Sequence, residues 1–313
     1  MSDLANAPRN VVREVGKVVA GKDVYIKKVM LAILAGGHIL MDDIPGVGKT
    51  TMALAFSKAM ALKQKRVQFT PDVLPSDVTG FYMFQKETKT FRYMPGPVMT
   101  NLFLADEINR TSPKTQSALL QVMEEGKVTI DGNTLDVPAP FIVIATQNPV
   151  GSAGTQLLPE SQLDRFMICF SLGYPDIKNE IQIIKRRHAD NPLDHVRPVM
   201  DAAILLSCQK AVEQVYIHDA VYEYIAQLVN ATRNNELIKL GVSPRGTLAL
   251  CRMAMSSAFL AGRDYVLPDD VAGIFKDVAG HRIVLDARAG IAGYDAHTVL
   301  DRIIASVPKP VPR

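Results

Sequence analysis

The sequence predicts an α/β fold, an αβα sandwich with a parallel central sheet, followed by a smaller all-α lid. Short apolar runs alternate with helical patterns up to about residue 175, as in parallel sheets that are covered by helices on both faces. The stretches 101–107 and 141–146 carry continuous apolar runs, which are typical of strands buried on both sides. Beyond Asp176 the periodicity is helical only, so we expect a second, helical domain there.

The elements follow from periodicity and from turn residues. A stripe of valines predicts the first helix, which stops at Gly21, and alternating apolar and polar side chains around Lys86–Lys89 predict a hairpin. A second hairpin turns at residues 131–133, and Pro268 opens a helix. The predicted helices are 10–20, 23–34, 52–62, 113–124, 177–189, 200–214, 218–233, 244–262 and 268–279. The predicted strands begin at His38 and then cover 66–69, 81–94 as a hairpin, 101–107, 127–137 as a hairpin, 141–146 and 167–171.

The composition is that of an ordinary globular protein. Of the 313 residues 48% are hydrophobic and 21% are charged, and the net charge of +3 gives no dominant attraction to nucleic acid. Three distant cysteines without metal-ligand spacing fit a reduced, cytoplasmic setting. We also expect no membrane insertion, because the N-terminus has no apolar signal segment and the longest apolar stretch, 29–41, is too short to span a bilayer.

The stretch Leu40–Met52, LMDDIPGVGKTTM, joins the first strand to a helix through a glycine-containing turn. Such a turn directs backbone N–H groups at an anion, and its glycines permit close approach. Lys49 would then reach the β- and γ-phosphates of a nucleotide, and Thr50 would ligate Mg²⁺. The first glycine of the usual pattern is replaced by Asp43, while the two later glycines remain. The stretch therefore predicts a P-loop.

Polar side chains follow the two buried strands of the predicted sheet. Asp106 and Glu107 come directly after one strand, where Asp106 would hold the hydration shell of Mg²⁺ and Glu107 would polarise the attacking water. The alternative is that both are solvated residues at a strand end. Asn148 follows the next strand. One interpretation is that it contacts the γ-phosphate or the attacking water, and the other is that it forms the turn before Pro149.

Two arginines outside the P-loop are candidates for contact with the γ-phosphate. Arg165 is either an arginine finger for a neighbouring subunit or the partner of a salt bridge to Glu160 or Asp164. Arg245 lies at a predicted helix start in the helical region. It either caps that helix as a surface charge or reaches the γ-phosphate from the lid.

Jointly, and in this order, these motifs resemble the AAA+ ATPases and in particular the MoxR family. The resemblance covers residues 11 to 283. It rests on six long blocks: RVQFTPDVLPSDVTG from Arg66, LADEINR from Leu104, PKTQSALL from Pro113, ATQNP from Ala145, LPESQLDRF from Leu158 and GRDYV from Gly262. One departure is Gln156-Leu157, where the family typically has Tyr-Pro.

The resemblance assigns roles to particular residues. It implies that Asp43 is usual at its position, that 77–98 is a helix-2 insertion and that 127–138 is a pre-sensor-1 hairpin. It divides the chain into a nucleotide-binding core, 1–190, and a lid, 191–313. The implied catalytic residues are Glu107, Asn148 as sensor 1, Arg165 as the finger and Arg245 as sensor 2. The implied nucleotide-binding residues are Val19, Ala20 and Gly21 at the adenine, Pro45, Gly46, Val47, Gly48, Lys49, Thr50 and Thr51 in Walker A, and Asp106 in Walker B; Thr50 and Asp106 are also the implied Mg²⁺ ligands.

The same resemblance implies a function. We expect ATP and Mg²⁺ at the interfaces of a ring of identical subunits, a hexamer, because an arginine finger has nothing to act on in a monomer. Hydrolysis would drive chaperone-like remodelling of a client protein, together with a separate protein that carries a von Willebrand A domain. The alternatives are a chelatase-like metal-insertion or enzyme-activating motor, a nucleic-acid translocase, which the modest charge disfavours, and a non-hydrolysing scaffold, which intact Glu107, Asn148 and Arg165 disfavour.

Overall fold

The structure is a computed structural model that describes residues 2–44, 46–148, 158–189 and 191–311. The strands are β1 (Ile39–Asp42), β2 (Gln64–Gln68), β3 (Gly80–Gln85), β4 (Thr90–Pro95), β5 (Leu102–Asp106), β6 (Lys127–Ile130), β7 (Asn133–Asp136), β8 (Ile142–Gln147), β9 (Ile168–Phe170), β10 (Ile238–Leu240) and β11 (Val284–Leu285). The helices are α1 (Ser2–Gly16), α2 (Asp23–Leu34), α3 (Lys49–Ala59), α4 (Pro75–Thr79), α5 (Pro113–Glu125), α6 (Glu160–Leu163), α7 (Ile177–Ala189), α8 (Ala202–Val212), α9 (Asp219–Arg233), α10 (Pro244–Ala261), α11 (Pro268–Ala279), α12 (Ala287–Ile291) and α13 (Ala296–Ser306).

Five parallel strands form the central sheet in the order β2-β5-β8-β1-β9. The register sets Gln68 opposite Asp106 and Met41 opposite Thr146. All five strands therefore end at the same edge, where ligands bind in open α/β sheets. This arrangement confirms the predicted α/β sandwich and brings the ends of β1, β5 and β8 together.

Alternate residues of a strand face opposite sides of the sheet, and β1, β5 and β8 are buried on both sides. On one side Leu102, Leu104 and Ile144 pack into a core that includes α1, α2 and α3. On the other side Phe103 and Val143 pack against α5. Burial on both faces explains why β5 and β8 read as continuous apolar runs in the sequence.

Helices α1 and α2 attach the lid to the sandwich. Arg9 Nε donates to Leu260 O in α10 at 2.8 Å, and Lys28 forms a 2.7 Å ion pair with Asp277 in α11. Gln209 in α8 donates to the last turn of α2 at 2.8 Å. The apolar residues of the lid belong to the same continuous core as α1, α2 and one face of the sheet. The lid is therefore packed onto the sandwich through these two helices.

The lid differs from the prediction in two respects. It is not entirely helical, because β10 and β11 form a short antiparallel ladder in which Ile238 pairs with Leu285. Two or three residues of strand carry too little periodicity to be recognised in a sequence. Helices α12 and α13 of the lid were also not predicted, and neither was the short helix α4 of the sandwich.

Two hairpins project from the sandwich, as predicted. In the β3–β4 hairpin Phe84 packs edge-on against Phe91 at 5.3 Å, and Tyr82 lies 5.7 Å from Tyr93. Such cross-strand aromatic pairs stabilise an isolated two-stranded ribbon. The β6–β7 hairpin turns at Asp131 and Gly132, which both have positive φ. Among the described residues, no helix is long and apolar enough to cross a membrane.

His38 fixes the start of β1. Its Nδ1 accepts a 3.0 Å hydrogen bond from the N–H of Val143, and its Nε2 lies 3.0 Å from Met123 O. The ring is neutral in this arrangement, since Nδ1 accepts and Nε2 donates. Burial lowers the pKa of His38 to about 4, although the hydrogen bond to Met123 opposes that shift. The side chain thus connects the sheet to the end of α5 only in its neutral form.

We predict that His38 contributes to a fall in the free energy of unfolding as the pH is lowered. Between pH 6.5 and about 4 the unfolded chain binds a proton at this ring and the folded chain does not. The free energy of unfolding then falls as the pH falls, by at most about 1.4 kcal/mol per pH unit for this group. Denaturant unfolding at a series of pH values between 7 and 5 measures this effect. The free energy of unfolding should change less with pH for His38→Gln than for the exposed control His297→Gln. Equal slopes would contradict the prediction.

Candidate active site

The turn between β1 and α3 has the backbone of a phosphate-binding loop. Gly46 and Gly48 have φ of 88° and 97°, a left-handed conformation that only glycine adopts readily. Gly48 is the N-cap of α3, so the first N–H groups of that helix point into the turn. The predicted residue Pro45 lies outside the described residues. The geometry of the turn fits an anion.

Lys49 is buried, with 7% of its surface exposed. Its ammonium donates to Asp43 O and lies 3.4 Å from both Gln147 O and Asn148 Oδ1. Burial lowers its pKa, and the surrounding carboxylates, Asp43 first and Asp106 next, act against that shift. The two long contacts leave the ammonium able to donate to an incoming phosphate.

Asp43, which replaces the first glycine of the motif, ties the P-loop to the end of β9. Its Oδ2 accepts from the N–H groups of Leu172 and Gly173 at 2.5 and 2.8 Å. On the outer side of the same segment Lys22 donates to the carbonyls of Leu172 and Gly173 at 2.5 and 3.2 Å. A carboxylate at this position therefore has a structural use that glycine cannot serve.

Asp106 is buried at the end of β5 and is held by two donors that sequence reasoning missed. Its Oδ1 accepts from Thr146 Oγ1 at 2.6 Å, and its Oδ2 accepts from Arg66 Nη2 at 2.6 Å. Thr146 Oγ1 also accepts from the N–H of Glu107 at 2.9 Å. These two partners could have been found from the sequence, because they are polar residues on β2 and β8, the strands that flank Asp106.

Glu107 has φ of 56° and projects from the sheet edge beside Asn148. Its Oε1 accepts from Asn148 Nδ2 at 3.0 Å, and its Oε2 accepts from Arg110 Nη1 at 2.8 Å. Burial raises the pKa of Glu107, but the hydrogen bonds from Arg110 and Asn148 outweigh burial and the net pKa is lowered. The carboxylate is therefore ionised at neutral pH, as a proton acceptor must be.

Asn148 follows β8 and lies between Glu107 and Lys49, with its amide in contact with both side chains. Its backbone is fixed by a reciprocal pair with Asn109, whose Nδ2 donates to Asn148 O at 3.1 Å and whose Oδ1 accepts from Asn148 N at 3.3 Å. Asn109 was not singled out from the sequence, although it lies in the same block as Glu107.

A cavity of about 300 Å³ opens beside the P-loop. Its residues are mostly apolar, and they are Val18, Val19, Ala20, Lys22, Gly46, Val47, Gly48, Thr51, Pro175, Ile183, Asn191, Pro192 and Leu193. The predicted Val19 and Ala20 are in this wall, while Gly21 lies against the side chain of Asn179 instead. Apolar walls and one amide suit a flat aromatic base.

The structure does not bring Arg165 or Arg245 to that cavity. Both line a separate cavity of about 340 Å³ between the sandwich and the lid, and both contact the carboxylate of Glu124. The sequence had offered Glu160 or Asp164 as the partner of Arg165, but Asp164 pairs with Arg282 at 2.8 Å.

Comparisons with known proteins agree with this fold. Residues 38–168 match the model of the ATPase family associated with various cellular activities (AAA), and residues 230–303 match the AAA lid domain. An uncharacterized protein, YeaC of Bacillus subtilis, is 45% identical over 96% of this chain and 94% of its own length. Chaperone MoxR1 of Mycobacterium tuberculosis is 36% identical over 95% of this chain and 81% of its own length.

A crystal structure of a protein assigned as an ATPase, from Cytophaga hutchinsonii ATCC 33406, superposes with a TM-score of 0.91. It is 37% identical and the match covers 99% of this chain and 96% of that one. A P-loop on a five-stranded parallel sheet, with a helical lid, defines an ATPase of the AAA class. The chain belongs to the MoxR family of these AAA+ ATPases.

The donor set fits Mg²⁺ in the manner of a nucleotide-bound metal. Within the described ranges, no three His, Cys, Asp or Glu side chains form a metal site of their own. Mg²⁺ in ATPases needs only one or two protein oxygens, because nucleotide phosphates and waters complete its shell. Thr50 at the start of α3 and the carboxylate of Asp106 are the oxygens that would hold it.

We predict that Lys49→Ala abolishes nucleotide binding, because it removes the buried ammonium that faces the phosphates. Isothermal titration with ATP measures this loss directly. The exposed Lys63, shortly after the same helix, provides the control Lys63→Ala, which should bind ATP like the wild type. Binding by Lys49→Ala at wild-type affinity would contradict the P-loop assignment.

Proposed function

We propose that this chain hydrolyses ATP at the interfaces between subunits of a ring. One observation carries the proposal: Arg165 and Arg245 lie together on a cavity that is separate from the P-loop cavity of the same chain. In a ring, these two cationic groups would face the nucleotide of a neighbouring subunit. A hexamer is the ring size that the family resemblance implies.

Each residue of the site has a defined part in this reaction. The ammonium of Lys49 binds the β- and γ-phosphates of ATP, and the first turn of α3 donates its N–H groups to them. Glu107 accepts a proton from the attacking water, which Asn148 helps to orient. Bound Mg²⁺, held by Thr50 and Asp106, would neutralise phosphate charge. The neighbour's Arg165 and Arg245 stabilise the charge that develops on the γ-phosphate.

The packing of the lid converts this reaction into movement between subunits. ATP draws Arg165 and Arg245 of one subunit towards the P-loop of the next, and loss of the γ-phosphate removes that attraction. Arg245 is the second residue of α10, which packs on α1 and α2. A displacement of Arg245 would therefore shift the lid and these two helices together.

We propose that this movement serves a chaperone-like remodelling or maturation of client proteins. The relative from Mycobacterium tuberculosis is named a chaperone, and it matches the chain over nearly its full length. A separate protein with a von Willebrand A domain is the partner that the family resemblance implies. The client and this partner are both distinct chains in this proposal.

We predict that Arg165→Ala lowers ATP turnover by roughly 10³-fold, which is the scale of an arginine finger. Glu107→Gln should bind ATP without turning it over. Mixing the two inactive variants should restore activity, because a Glu107→Gln subunit supplies an intact arginine to the intact site of an Arg165→Ala neighbour. Phosphate release measures the recovery over a series of mixing ratios.

Lys49→Ala mixed with Glu107→Gln is the matched control. Both of those variants have inactive sites, so their mixed rings should stay inactive at every ratio. If Arg165→Ala mixed with Glu107→Gln also stays inactive, Arg165 does not act between subunits. Turnover in Arg165→Ala alone at the wild-type rate would exclude its role altogether.

A further inference from the structure

Glu124 lies between the two arginines that we place at the neighbour's nucleotide. Its Oε2 is 3.4 Å from Arg165 Nη2, and its Oε1 accepts from Arg245 Nη2. The three residues come from three separate elements, since Glu124 is near the end of α5, Arg165 follows α6 and Arg245 begins α10 of the lid. One carboxylate thus links the sandwich to the lid.

The positive charges of Arg165 and Arg245 explain why a carboxylate lies between them. Two guanidinium groups that share one carboxylate repel each other, and the carboxylate is what offsets their repulsion. Among the described residues, Arg165 Nε is buried without a hydrogen-bond partner, so the contact with Glu124 is made through Nη2 of the guanidinium. Glu124 is thus the carboxylate that faces this guanidinium.

The other charged groups of this cavity do not perform the same function. Arg282 is buried and saturated, with a 2.8 Å bond to Asp164 and further bonds to carbonyls such as Phe166 O. Asp164 is occupied by Arg282 and by Ser243, whose hydroxyl donates to it at 2.8 Å. Arg252 also lines the cavity and is exposed. The cavity consequently has an excess of positive charge that suits a phosphate group.

We propose that Glu124 is a positioning residue that holds Arg165 and Arg245 as a pair, so that both engage the same phosphate of a neighbouring subunit. The inference rests on the proposed function, and Glu124 itself does not touch the nucleotide. It also ties the arginine finger to the lid. A shift of the lid moves Arg245, and through Glu124 it moves Arg165 as well.

The test compares Glu124→Gln with Glu125→Gln in the full chain. Glutamine keeps the size of the side chain but removes the charge that holds the arginines. Turnover of Glu124→Gln at saturating ATP should fall by about ten- to a hundredfold, the scale of misplaced catalytic groups. ATP affinity should stay unchanged, since the P-loop is intact. Glu125 is exposed and accepts only a 3.0 Å bond from Gln121, so Glu125→Gln should match the wild type.

Mixed rings separate positioning from a general structural role. Adding Glu107→Gln to Glu124→Gln should restore turnover, because Glu124→Gln has an intact ATP site and lacks only well-placed arginines. In the Arg165→Ala background, Glu124→Gln should cause a smaller loss than in the wild type, because only Arg245 of the two arginines that it positions remains. A merely structural role would instead give additive losses and no recovery on mixing.

Each outcome distinguishes the inference from the proposed function. If Arg165→Ala is inactive but Glu124→Gln behaves like Glu125→Gln, the inference is wrong and the proposed function stands. If Arg165→Ala has full activity, both are wrong.

Thermal unfolding shows whether Glu124→Gln folds. If it does not fold, Glu124→Asp replaces it, because aspartate keeps the charge but is shorter by one methylene. That variant should then show the turnover loss and its recovery on mixing, and a wild-type rate would overturn the inference.

Discussion

The buried ammonium of Lys49 is the interaction on which the site depends. It is the cation around which Asp42, Asp43, Asp106 and Glu107 converge at the sheet edge. Four carboxyl groups so close together would repel one another without it. Asp42 shows the effect of this crowding, since burial raises its pKa while the neighbouring side chain of Gln147 and the charge of Lys49 act in the opposite direction. The strand order brings these carboxylates together, and the P-loop places the Lys49 ammonium that offsets their repulsion.

The sandwich and the P-loop were predictable because their signals are local. A buried parallel strand has a continuous apolar run, and the carboxyl ends of such strands meet at one edge. The run before Asp106 therefore predicted both the strand and the place of its carboxylate. Asn148 was predictable for the same reason, as it ends the neighbouring strand β8.

Several partners of the site residues were not predicted, because they come from distant parts of the chain. Arg66 and Asp106 are 40 residues apart in the sequence, and Arg245 and Glu124 are 121 residues apart. No periodicity reports such a contact, which depends on how α5, α6 and α10 pack. The same reason explains the missed ladder of β10 and β11, whose strands are 2 to 3 residues long and are held by their tertiary neighbours.

The shared core of α1, α2 and the lid has a consequence for how the chain unfolds. A lid on a flexible joint would melt separately from the sandwich, and calorimetry would show two transitions. Here, apolar side chains of the lid and of one sheet face belong to one uninterrupted cluster. Opening the lid would expose part of the sandwich core, so we expect the two regions to unfold together. A nucleotide that stabilises the P-loop then also protects the lid, at a distance, from proteolysis.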